Sequence, residues 1–204
     1  MDESAGFEIV EEVRINPVTA NALAVVLMFP LIALFMGVAW VTGFYHPEIW
    51  VVWLTFSGFV PVIVVHELLH AYAAWRYAGV PFSRMHFGFK WRAMMAYFHT
   101  PVPMSVEDFR KVIYLPFLMT SPLALLLVVL APTFPMAVLA AMIVGGCMGD
   151  LMMDQQIRRF RGRGLYVIDH PTQCGFDVGR YREKVSDSSF PAAASSANHG
   201  SVER

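Results

Sequence analysis

Residues 49–75 read IWVVWLTFSGFVPVIVVHELLHAYAAW. The run is apolar for most of its length and long enough to cross a hydrocarbon core of about 30 Å. Its last third holds His66-Glu67-Leu68-Leu69-His70, an H-E-x-x-H. On a helix, positions i and i+4 share a face, so both histidines can point at one ion. Imidazole nitrogen suits Zn²⁺, and two helical histidines leave room for a third ligand and a water. Glu67 lies about 100° round the helix from His66, within reach of that water as a general base. The competing reading is a chance match. It loses weight because ionisable groups in a membrane-length apolar run are costly and default to function. Pro61 lies five residues before His66, where it either bends the helix or is an ordinary membrane-helix proline.

Composition agrees. Of 204 residues, 56% are hydrophobic and 15% charged, with mean hydropathy +0.51. That is too apolar for an ordinary soluble domain and fits a small polytopic membrane protein. A net charge of −1 gives no reason to expect nucleic acid. Cys147 lies in an apolar run and Cys174 in a polar tail, so neither a disulfide framework nor a thiolate zinc site is expected. The acidic start, Met1 to Glu12, lacks the basic region of a cleaved signal peptide.

Outward from the motif, the pattern predicts an α-helical membrane protein. Its four transmembrane helices fall at about 21–45, 49–75, 112–130 and 135–157, with a small cytoplasmic-side β-hairpin. Residues 1–20 form an N-terminal cytoplasmic segment, either strand or interfacial. Residues 21–182 form the membrane-embedded domain, and 183–204, rich in Ser and Ala, form a disordered tail. Pro30 kinks the first span; Pro116 and Pro122 lie in the third. The loop before the third span holds two short strands, Met85 to Phe89 and Ala93 to Phe98, able to dip into the membrane surface. Ser105 caps a helix starting near Val106, with Asp108 at the capping-box position. In the fourth span Gly145 and Gly149 form a small-xxx-small face for close helix approach. Leu165 to Asp169 and Gly175 to Val178 read as further short strands.

All 15 Lys and Arg fall before the first span, between the second and third, or after the fourth. The positive-inside rule then places both termini and the long loop in the cytoplasm. The expected location is a prokaryotic plasma membrane. His66 lies nine residues before Trp75, about 13 Å of helix, and Asp150 eight before Arg158, about 12 Å. The shared depth makes Asp150 the preferred third ligand, against a helix-end carboxylate pairing with Arg158 or Arg159. Asp154, one turn on, supports the site from behind or faces water. His99 is a candidate to orient substrate or bind an oxyanion, and His86 a weaker one. The Met94-Met95 and Met152-Met153 pairs read as packing rather than copper ligands. The basic run 158–163 reads as a topology signal and a contact for anionic lipid.

An H-E-L-L-H in one span, a Phe87-Gly88-Phe89 loop, Ala96-Tyr97-Phe98-His99, a proline-bearing span and Gly149-Asp150 in the last one together resemble the putative zincin peptidases. These are small membrane proteins similar, at a distance, to site-2-type intramembrane metalloproteases. The resemblance covers roughly Asn21 to Val178. It implies His66, His70 and Asp150 as zinc ligands and Glu67 as base. Asp150 sits in G-D-L rather than the L-D-G that site-2 proteases usually show.

The expectation is therefore a zinc metallopeptidase embedded in the lipid bilayer, cutting a membrane-spanning or membrane-associated protein or peptide near the cytoplasmic face. Two alternatives stand beside it: a non-enzymatic membrane adaptor with structural zinc, and a small ion or proton carrier. Four spans without a repeat disfavour a carrier. An intact Glu67 disfavours a structural site, which needs no base.

Overall fold

The computed structural model describes residues 7–91, 95–170 and 175–181. Cys174, Met94 and the tail 183–204 lie outside them. In chain order the elements are β1 (Phe7–Arg14), α1 (Pro17–Thr42), α2 (Ile49–Ala78), β2 (His86–Lys90), β3 (Met95–His99), β4 (Met104–Ser105), α3 (Val106–Leu130), α4 (Phe134–Gly146), α5 (Met148–Ile157), β5 (Tyr166–Asp169) and β6 (Gly175–Tyr181). Four helical stretches are long and apolar enough to cross a membrane: α1, α2, α3, and α4 with α5 and the turn after them, Phe134–Phe160.

Local chemistry sets their ends. The Asn16 side chain accepts from Val18 N at 2.9 Å and Pro17 opens α1 with its φ already helical. Gly79 closes α2 at φ 67°, a left-handed cap that its missing Cβ permits. The expected Ser105 cap is present: its hydroxyl accepts from Asp108 N at 3.0 Å and donates to the Asp108 carboxylate at 2.8 Å. The fourth span is not one helix as expected. It breaks at Cys147, whose N–H bonds Val144 O at 3.2 Å in a tightened turn. Gly145 and Gly146, weak helix formers, lead into that break. The small-xxx-small reading is half met. A Cβ on Gly145 would touch the Ala24 backbone of α1, whereas around Gly149 there is open space.

The β component includes the expected hairpin and the two further strands expected after the fourth span, β5 and β6. Strands β2 and β3 do form that hairpin, with Phe87 opposite Phe98. A second, four-stranded antiparallel sheet has the order β1-β6-β5-β4. Of the two readings of the N-terminal segment, the strand is the one seen: Phe7 to Arg14 pair with Tyr181 to Gly175. Sequence distance hid this pairing: β6 has β5 as a local partner, but β1 has none near it in the chain.

Two buried clusters hold the chain together. One packs the four-stranded sheet (Val167, Phe176, Val178) against α2 (Ala71, Ala74), α3 (Phe109, Ile113) and α5 (Ile157). The other joins α1, α3 and α4 through Phe35, Ala39, Ala124, Val128 and Ala140. Outward, Phe29, Trp40 and Trp53 are each over 70% exposed, and most apolar side chains of α1 and α2 likewise face out. Such surfaces fit a membrane protein.

Gly175 has φ 144°, and a Cβ there would collide with the Val13 carbonyl. Gly175→Val should therefore unzip β1 from β6 and lower stability by about 2 kcal/mol, read as a drop in the thermal midpoint in detergent.

Candidate metal centre

His66 and His70, one turn apart on α2, meet Asp150, in the first turn of α5. His66 Nε2 lies 3.1 Å and His70 Nε2 3.4 Å from Asp150 Oδ2, and the three donor atoms lie within 4.8 Å of one another. Ligands set tetrahedrally at about 2.05 Å from zinc lie about 3.3 Å apart, so the spacing suits that ion. Asp150 Oδ2 is buried and has no hydrogen-bond partner among the described residues. An orphaned buried carboxylate oxygen is costly. Two ring nitrogens and an oxygen that converge on one point, without hydrogen-bond geometry, fit a cation among them.

Each histidine is held by its far nitrogen. His70 Nδ1 lies 2.9 Å from Val112 O. In an α-helix that carbonyl would accept from the N–H of residue 116, but residue 116 is Pro116, which has none. The proline frees the carbonyl, and His70 Nδ1–H donates to it, leaving the Nε2 lone pair for the shared point. The His70 ring also stacks on Phe98 at 6.3 Å. His66 Nδ1 lies 3.9 Å from Cys147 Sγ, at the break before Asp150. Cys147 Sγ also reaches Ile143 O at 3.5 Å and Thr120 Oγ1 at 3.7 Å. A thiol proton given to either leaves sulfur to accept from His66 Nδ1–H, fixing the same tautomer.

A family model described as putative zincin peptidase matches residues 59–163, just over half of the chain. The chain belongs to this family. The matched span holds His66, Glu67, His70 and Asp150, and the family name suggests a zinc-dependent peptidase. No curated protein matches, and no solved structure does.

In this zincin-family chain two cavities meet at the donors. One, of about 150 Å³, has Tyr97, Thr100, Met104 and Asp169 in its wall. The other, of about 210 Å³, runs between α1, α2 and α4 past Ala20, Ala24, Phe59 and Met142. His66, Glu67, Ala96, Gly146 and Gly149 line both. Glu67 lies beside the Phe98 backbone amide of β3.

Two other candidates are placed elsewhere. Asp154 does not face water. It is fully buried between Arg110 Nε at 2.7 Å and Arg158 Nε at 2.6 Å, because the α5 face one turn past Asp150 meets α3. Asp150 pairs with neither Arg158 nor Arg159; the latter holds Glu11 at 2.6 Å. His99 Nδ1 bonds Asp169 Oδ2 at 2.7 Å, and His86 stacks on His99 at 6.2 Å. His99 thus ties the hairpin to β5, and of the pair it is Asp169 that lines the cavity. Burial pushes the Asp169 carboxyl up, and the neighbouring His99 and Lys90 partly offset this. Sequence reasoning missed Asp169, Cys147 and the use made of Pro116. Pro116 was visible as a helix proline, but its partner lay 46 residues away.

Asp150→Ala should strip zinc from purified protein. Asp154→Ala should keep zinc but lower stability by about 2 kcal/mol, through lost hydrogen bonds to charged groups. Metal analysis and thermal melts separate the two. Pro116→Ala restores a helical N–H that competes for Val112 O. Zinc affinity, measured by chelator competition, should fall about 10-fold or more.

Proposed function

We propose that this protein is a membrane-embedded zinc metallopeptidase, with His66, His70 and Asp150 holding the ion and Glu67 as general base. The observation that carries the reading is the convergence of those three donors at the junction of two cavities whose shared wall includes Glu67. The H-E-x-x-H spacing and the family membership support it.

When bound, zinc supplies a Lewis acid that acidifies a water and polarises a carbonyl. The chain does the rest. His70, braced by Val112 O and Phe98, and His66, braced by Cys147, present their Nε2 lone pairs without reorganising. Glu67 takes the proton of the attacking water on its carboxylate, then passes it to the departing amine nitrogen. The peptide lies across Gly149, where no side chain blocks passage from one cavity to the other. One end follows the apolar helix faces of α1, α2 and α4, and the other passes Tyr97, Thr100 and Asp169. That suits the end of a membrane-spanning segment. With the Lys and Arg distribution setting orientation, the cut falls near the cytoplasmic face and both termini are cytoplasmic.

The test is Glu67→Gln, which keeps size but not basicity. Zinc content should hold while cleavage of a membrane-protein substrate falls by about 10²–10⁴-fold. Loss of zinc would make Glu67 a ligand instead. Unchanged metal and phenotype would favour a structural-zinc adaptor, and altered proton flux without proteolysis a carrier. Gly149→Leu should block cleavage at full zinc occupancy; unimpaired cleavage would place the peptide elsewhere.

A further inference from the structure

Away from the metal centre, a third cavity of about 390 Å³ opens where three elements end together. Its rim holds Tyr77 in the last turn of α2, Arg110, Lys111 and Tyr114 in the first turns of α3, and Arg161 beyond α5. Its floor is Leu115 and Leu118.

The cations exceed their partners. Asp154 is one carboxylate serving both Arg110 and Arg158. Arg158 Nη2 also donates to Tyr114 OH at 2.7 Å. Lys111 pairs with Asp108 at 2.7 Å and lies 5.4 Å from the Tyr77 ring centre. Arg161 has no ion pair among the described residues. The one acid in the rim, Glu107, accepts from Gly162 N at 3.0 Å, and so holds the segment that carries Arg161 against the cleft.

Along α3 the lining changes from cations, through tyrosine, to leucine. Lys111 and Leu118 are seven residues apart, about 10 Å of helix, and Leu118 is 54% exposed. A soluble phosphate would use only the upper half of such a surface. A molecule with a monoanionic phosphodiester joined to an acyl chain uses all of it.

We propose that this cleft binds an anionic phospholipid, with its phosphate at Arg161, Lys111 and Arg110 and its chain along Leu115 and Leu118. The proposal rests on the reading that α2 and α3 cross a bilayer, and is independent of the peptidase.

The test is native mass spectrometry of the full chain in mixed phosphatidylglycerol and phosphatidylcholine. The wild type should retain one phosphatidylglycerol in preference. Lys111→Gln with Arg161→Gln should lower that preference about 25-fold, about fivefold for each cation. Arg180→Gln, at an exposed arginine of β6 outside the cleft, should leave it unchanged, and zinc content should be equal in all forms. An undiminished preference in the double variant, or an equal loss in Arg180→Gln, overturns the site. Inorganic phosphate and glycerophosphoglycerol, which has the headgroup without chains, should fail to displace the lipid. Displacement by either makes the ligand a soluble phosphate and overturns the lipid assignment. Alkaline extraction of membranes tests the premise separately: release of the chain into the soluble fraction removes the bilayer, and the lipid site with it.

Discussion

The hydrogen bond from His70 Nδ1 to Val112 O is the contact on which the site's geometry turns. It exists because a proline four residues along α3 cannot use that carbonyl. In an apolar interior a vacant carbonyl costs about as much as a lost hydrogen bond, so the ring and the helix each satisfy what the other lacks. The same bond sets the distance between α2 and α3. It also fixes which ring nitrogen is free, and with it the direction in which Asp150 must lie. His66 is steadied in a comparable way by Cys147, at the point where the fourth span breaks. That break lets Asp150 start a new helical turn toward α2.

Much of this was legible in the residues. The four apolar runs, the H-E-x-x-H and the Ser105 cap are local patterns with fixed periods, and each appears where its period puts it. Asp150 could be singled out because depth along a helix is a linear count. Other features depend on contacts between distant segments. The β1–β6 pairing joins the two ends of the described chain. The burial of Asp154 depends on Arg110 and Arg158, and the first of these lies 44 residues away. The partner of His99 is Asp169, which no motif marks in the sequence.

The two cavities give the donors unequal surroundings. One is walled by β3, Thr100, Asp169 and apolar side chains of α3; the other by apolar faces of α1, α2 and α4.

The pairing of β1 with β6 has a consequence for biosynthesis. The strand made first finds its neighbour only after all four apolar helices have been made, since β6 follows them in the chain. Such long-range closure is slow. Asp169, on β5, comes equally late, so one wall of the cavity is still missing while the helices carrying the histidines and Asp150 are already in place. In chain order the two histidines and Asp150 therefore precede the strands that complete the cleft. Order of synthesis alone keeps the finished cavity from forming before the last strands arrive.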